Sequence, residues 1–268
     1  MQPGASGVNY EKYKVRGEFS DLTDFTLKLP HDFDRMGLAI HDSRNVVKKI
    51  NTPRGIVVVK NFKGMYFFNR LAYSIFRKSK AERSYNYSGI LNSKGIITPP
   101  HVAWVDCYTL GLLTRSYFVS VYYPYDSLEK ILTYNLYERP QKISLFHQLA
   151  EFISMLHRIG IYHEDLSMGN ILVIPAQDTY KFALVDLNRI RFQKVVSYGK
   201  GLKNLATLRL TQQDMNILIR EFALLSRQSP EDSIRRFWKY RERRTSLKKI
   251  RRTIRKYTVA PLEIMFGK

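Results

Sequence analysis

The chain has 268 residues, 44% of them hydrophobic, enough for one two-lobed domain with a substantial core and too few for a long extra domain. Its 44 Lys and Arg against 23 Asp and Glu leave a formal net charge of +21, far beyond what solubility requires, so the partner should be polyanionic. No stretch approaches the roughly 18 apolar residues of a membrane span, and residues 1–8 lack the basic-then-apolar order of a signal peptide, so the chain is expected to stay on the cytoplasmic side. The single Cys107 excludes an internal disulfide and has no zinc-ligand spacing partners, which makes it a buried structural thiol.

Residues 1–34 read as an N-terminal extension, with Asp32 and Asp34 flanking Phe33 near Pro30, more loop than core. Strand patterns follow at 37–41, 46–50 and 56–62, then at 102–110 and 116–122. Asn51-Thr52-Pro53-Arg54-Gly55 is a turn by composition, because Pro fixes one dihedral and Gly permits positive φ. Residues 72–91 have helical character, Tyr123-Pro124-Tyr125-Asp126 forms a crossing, and helical spacing resumes at 127–132. A longer helix spans 143–159, where Leu145, Leu149, Phe152, Ile153 and Leu156 recur at three- and four-residue steps. A basic segment, 194–209, broken by Gly199-Lys200-Gly201, suggests a mobile loop ahead of another helix at 211–225. The pattern is α+β: a strand-rich region at 35–123 and a helical region at 124–268. Aromatic clusters at 66–68 and 117–125 are expected to build core and strand surface.

Chemistry concentrates after the long helix. His163-Glu164-Asp165-Leu166-Ser167-Met168-Gly169-Asn170 leads into the apolar Ile171-Leu172-Val173, and Asp186 follows sixteen residues after Asn170 within Ala183-Leu184-Val185-Asp186-Leu187-Asn188. Asp165 lies five residues before Asn170, the separation of Asp and Asn in the catalytic loop of protein kinases. In such a site the first Asp accepts a proton from the attacking hydroxyl, and the Asn and the later Asp hold divalent ions that bridge the nucleotide phosphates. Taken alone, an Asp-x4-Asn loop is also a turn with side chains capping its own backbone. A carboxylate in an apolar stretch is costly without a cation or donors, and that favours metal-assisted phosphoryl transfer. Upstream, Gly55-Ile56-Val57-Val58-Val59-Lys60 is a β-branched strand carrying one cation, which makes Lys60 the phosphate-binding candidate. Glu82, 22 residues later in the helical stretch, is positioned to pair with it as a strand Lys pairs with a helix Glu in kinases. Arg189 is a candidate to orient the metal segment or to contact the acceptor. The six His show no His-x3-His pattern, so no transition-metal site is expected, and His163 should prop the catalytic loop by hydrogen bonding.

Over roughly residues 35–225 the chain resembles the protein-kinase-like superfamily, and within it the bacterial lipopolysaccharide kinases that phosphorylate Kdo or core heptose. Asp165-Leu166-Ser167 with Asn170-Ile171-Leu172, and Val185-Asp186-Leu187-Asn188-Arg189-Ile190-Arg191-Phe192, are similar to that family's catalytic-loop and metal-Asp segments. The resemblance implies a two-lobed kinase-like fold with an antiparallel-sheet N-lobe and a mainly helical C-lobe. It further implies ATP as donor, Mg2+ as cofactor and a sugar hydroxyl of the lipopolysaccharide inner core as acceptor. Departures from protein kinases are informative. No Gly-x-Gly-x-x-Gly precedes Lys60, only the short polar turn 41–45, and Glu164 stands where an Arg usually anchors a phosphorylated activation loop. With Asp186-Leu187-Asn188 in place of Asp-Phe-Gly and no Ala-Pro-Glu downstream, the protein-substrate platform is absent, which favours a small-molecule or glycolipid acceptor. RIO-type atypical kinases share the Asp-Leu-Ser-x-x-Asn loop, and the missing glycines leave a pseudokinase as the other alternative.

The last strong signal is 235–256, twelve basic residues against Glu242, interleaved with Phe237, Trp238 and Tyr240. It reads as one or two basic amphipathic helices suited to an anionic membrane surface, with Trp and Phe inserting at the interface. The expectation is a cytoplasmic protein peripheral on the inner membrane. The same mixture also suits a phosphodiester backbone, so nucleic acid stands as a rival partner.

Overall fold

A computed structural model describes residues 10–43, 45–62, 78–177 and 179–246. The chain divides into two compact units, the first formed by 1–128, 170–174 and 182–190, the second by the remainder.

The first unit is built on a six-stranded antiparallel sheet in the order β1-β5-β6-β4-β3-β2. Its strands are β1 (Tyr10–Val15), β2 (Leu38–Asp42), β3 (Val46–Thr52), β4 (Gly55–Asn61), β5 (His101–Thr109) and β6 (Leu112–Val121). The β-branched run of β4 pairs Val57 with Val121, Val59 with Val119 and Lys60 with Phe118. Alternation puts Val57 and Val59 on one face, buried with Val105, Val119 and Tyr117, and turns Lys60 to the other. Thr52-Pro53-Arg54-Gly55 closes the β3–β4 hairpin as composition predicts, with the Thr52 hydroxyl donating to the Gly55 carbonyl at 2.7 Å.

Two features differ from the sequence expectation. Residues 10–36 are more than an extension: β1 pairs along β5, and α1 (Thr23–Asp32) buries Leu29, with Leu22 and Phe33 at its ends, against the sheet. Pro30 sits in the last turn of α1, and the carbonyls beyond it are held from afar, because buried Lys48 of β3 donates to Phe33, Asp34 and Met36 at 2.8–3.0 Å. The helix expected at 72–91 is described from α2 (Lys80–Ser93), capped by the Ser79 hydroxyl on the Glu82 amide; residues 72–77 and the aromatic cluster 66–68 lie outside the described residues. Cys107 is fully buried on β5, and burial pushes its thiol up to about 12.

The second unit is mainly helical. After α3 (Leu128–Thr133), α4 (Arg139–Arg158) opens with a capping box between Glu138 and Gln141 and buries the predicted stripe of Leu145, Leu149, Ile153 and Leu156. It packs on α6 (Gln212–Leu225), itself capped by Thr211; α5 (Tyr198–Leu205) precedes it, and a further helix, α7, occupies 230–246. The segment expected to be a mobile loop therefore contains a helix, Gly201 being there because a Cβ would lie 2.7 Å from the His157 ring. Short strands β7 (Ile161–His163) and β10 (Ile190–Phe192) pair, as do β8 (Ile171–Ala176) and β9 (Thr179–Leu184).

Candidate active site

The first unit gathers three of the expected site residues. β9 ends at Leu184, and Asp186 lies just beyond it in a left-handed backbone conformation (φ 56°, ψ 51°), leading into a helical turn at Leu187–Arg189. The carboxylate is therefore at the strand's exit rather than inside the strand, and the left-handed kink turns it away from the apolar run. Its Oδ1 accepts from Lys60 Nζ at 2.5 Å and from Asn188 Nδ2 at 2.5 Å. Lys60 and Asp186 are about one-fifth exposed, so the pair is partly desolvated. The Asn170 segment is tied to the same place, because its carbonyl accepts from the Val185 amide at 3.0 Å. Asn188 is 6% exposed, and although no sequence pattern marks it as a site residue, its amide fixes the orientation of the Asp186 carboxylate.

Glu82 does not pair with Lys60. The amine is taken by Asp186, whereas Glu82, in the first turn of α2, pairs with Lys78 at 3.2 Å, where the helix N-terminus also favours negative charge. Arg189 is exposed at the end of the helical turn.

Asp165 lies in the second unit, on the loop after β7. Its backbone N–H donates to His163 Nδ1 at 3.2 Å, which leaves the neutral ring's proton on Nε2 and bears out the propping role expected of His163. Buried Asn204 donates to the His163 carbonyl at 3.0 Å, and the Thr207 hydroxyl reaches the Leu166 carbonyl at 2.6 Å, so α5 and the turn after it clamp the loop from behind. Behind them His157 Nε2 meets Asn204 Oδ1 at 3.0 Å, and burial holds this imidazole below its ordinary range and neutral. Glu164 forms an ion pair with Arg191. Asp165 opens onto a cleft of about 630 Å3 shared with Ser167, Met168 and Thr207 and with residues of α7.

In the first unit an amine, a carboxylate and a buried amide meet, and in the second an acid stands on a propped loop, the residue types that phosphotransferases use. Comparison with known proteins agrees. The family model described as lipopolysaccharide kinase (Kdo/WaaP) matches residues 59–241, and the chain belongs to that family. A solved structure entitled "WaaP in complex with acyl carrier protein" superimposes with a TM-score of 0.59 at 17% identity, covering 88% of this chain and 98% of that one, and shows the same kinase-like fold. A search of the curated proteins finds no match.

Proposed function

We propose that this kinase transfers the γ-phosphoryl group of ATP, with Mg2+, to a sugar hydroxyl of the lipopolysaccharide inner core, Kdo or heptose, at the cytoplasmic face of the membrane. The observation that carries the reading is the Lys60–Asp186–Asn188 cluster joined by backbone hydrogen bonding to Asn170. The donor set fits: one carboxylate and one amide oxygen are hard ligands, and among the described residues no group of three or more His, Cys, Asp or Glu competes for an ion. Such a site leaves most of the coordination to phosphates and water, the habit of Mg2+. When bound, the ion would supply neutralisation of the charge that develops as the phosphoryl group transfers.

Lys60 Nζ donates to a phosphate oxygen of the donor, as the strand lysine of kinases does. Asp186 and Asn170 would hold the ion, and Asn188 keeps the Asp186 carboxylate from rotating. Asp165 accepts the proton of the acceptor hydroxyl as its oxygen bonds to the γ-phosphorus and the bond to the β-phosphate oxygen breaks. The basic side chains of 235–256 attach the enzyme to anionic lipid.

Labelled ATP supplied with defined core precursors is the direct test: label enters the sugar with the wild type and not with Asp165→Ala or Asp186→Ala, both folded. Full activity in either variant overturns the assignment. A thermal-shift titration separates this reading from a catalytically inactive scaffold, since a ligand that binds only the native state raises its apparent stability. No shift at millimolar Mg-ATP favours the scaffold.

A further inference from the structure

The cleft beside Asp165 has a cationic wall that catalysis by Asp165 does not require. Arg241 and Arg244 stand three residues apart on α7 and so share one face of that helix, and both line the cleft with Arg209 from the turn after α5. The carboxylates facing them are Asp165 and Glu129, so the lining holds three positive groups against two negative. Among the described residues none of the three guanidiniums makes an ion pair with a carboxylate. Arg241 and Arg244 are half-buried nevertheless, an environment in which an uncompensated charge is costly. Arg241 is steadied over the Trp238 ring at 5.0 Å. Arg209 adopts a left-handed backbone (φ 56°) between buried Leu208 and Leu210, a conformation that disfavours a branched-Cβ side chain and here throws the arginine outward into the cleft. Thr207, two residues earlier, is bonded to the carbonyl of Leu166 in the loop that carries Asp165, so the Arg209 turn is tied directly to that loop.

We infer that Arg209, Arg241 and Arg244 form a receptor for an oxyanion carried by the acceptor itself, a carboxylate or phosphate on the sugar that is phosphorylated or on its neighbour. Planar guanidiniums match such groups through paired N–H donors, and anchoring the acid group aims the neutral hydroxyl at Asp165. These arginines are specificity-determining residues for the reaction. The inference rests on the reading of Asp165 as the base that receives the acceptor.

The test is equilibrium binding to the full chain of four probes: free Kdo, its methyl ester, inorganic phosphate and a neutral heptose, each with wild type, Arg241→Gln/Arg244→Gln and the exposed Arg209→Gln. One anion at least should bind the wild type at least about tenfold more tightly than it binds the double variant, with Arg209→Gln intermediate, while the ester and heptose bind all three proteins alike. Preference for Kdo over phosphate identifies a carboxylate receptor, and the reverse a phosphate receptor. Equal anion binding by wild type and variants overturns the inference, as does the absence of anion binding in the wild type. Mg-ATP binding, followed in parallel, should be the same in all three. If Mg-ATP fails to bind even the wild type, the kinase reading falls, while the anion comparison is still decided by its own arms. If the double variant does not fold, Arg244→Lys, which keeps the charge and loses the planar fork, takes its place, with weakened anion binding expected.

Discussion

On the proposed reading the donor half of the site turns on the Asp186 carboxylate, and its geometry depends in part on Asn188, a neighbour assigned no contact with the nucleotide. Both the Lys60 amine and the Asn188 amide use the same oxygen, Oδ1, which leaves Oδ2 as the free acceptor for an ion. Partners that orient a metal ligand typically contribute about 10–100-fold to affinity or activity. Asn188→Ala is therefore expected to raise the Mg2+ concentration for half-maximal activity by about that factor with a smaller change in the KM for acceptor, measured by metal titration of the labelled-phosphate assay; an unchanged requirement would deny Asn188 its positioning role. A second buried acid behaves differently. Asp106, on β5 beneath the α2 cap, is pushed up to about 7 by burial, with the Ser116 and Ser79 hydroxyls lowering it and Glu82 raising it further. A carboxyl whose folded value lies above its unfolded one stabilises the protein fully below the unfolded value, near 3.8, and loses that contribution as pH rises through about 7. Wild type should thus lose a few kcal/mol at most relative to Asp106→Asn between about pH 4 and 7. Thermal melts of the two proteins across that interval test it, and a constant difference would refute it. His101, lowered to about 4 by burial and then by Arg16 and Lys14, works in the opposite sense, its contribution being lost as pH falls from 6.5. At this scale the sequence displays Lys60, Asn170 and Asp186 because each is a polar group set in apolar surroundings. It hides Asn188 and the cleft arginines, since an amide in a turn and arginines in a basic run look like solvated surface until the fold gives them neighbours.

At the scale of elements, short-range periodicity carries most of the information. The strands at 46–52 and 55–61, the α4 stripe and the Thr211 cap all follow from it. What local pattern misses is made by distant partners: α1 ends in carbonyls whose donor, Lys48, comes 12–15 residues later, so Pro30 and the two Asp residues read as loop. Lys48→Met should leave those part-buried carbonyls without their donor and cost about 1–3 kcal/mol, visible as an earlier denaturation midpoint with Mg-ATP affinity unaltered. The entry to the catalytic loop is stricter. Gly160 joins α4 to β7 with φ +78°, its carbonyl accepts from Gln193 at 2.9 Å, and a Cβ there would lie 1.7 Å from the Gln193 carbonyl oxygen. Backbone has to move for any side chain to fit, so Gly160→Ala should lower the melting temperature by on the order of 10 °C or leave the protein insoluble, well beyond the penalty of a left-handed alanine alone. A melt within a degree or two of wild type would mean that β7 and β10 yield easily.

For the molecule as a whole, the +21 charge has to be weighed against how its most basic element is used. Among the described residues no helix is long and apolar enough to cross a membrane. The reading of 235–256 as an inserting amphipathic helix is corrected for its described half: Phe237 is fully buried, and Trp238 donates its indole N–H to Asn216 of α6 at 2.8 Å. These aromatics hold α7 to the protein, and Arg235, Arg236, Lys239 and Arg243 are left exposed. Attachment of this face to a membrane, as proposed above, would then be electrostatic, at about 1 kcal/mol per basic side chain near an anionic leaflet, and would decay within a Debye length. Sedimentation with vesicles rich in anionic lipid should show binding at low salt, none with zwitterionic vesicles, and release at about 1 M salt, where the Debye length falls to about 3 Å. Binding that survives high salt would mean that apolar insertion dominates, through residues other than Phe237 and Trp238. Replacing the four exposed cations of α7 with Gln should remove the low-salt binding and leave phosphorylation of a water-soluble acceptor intact, because these side chains lie outside the cleft that holds Asp165. Vesicle binding unchanged by that substitution would assign the surface to another part of the basic chain. Tight, salt-sensitive RNA binding in its place would make a phosphodiester backbone the polyanion this face meets.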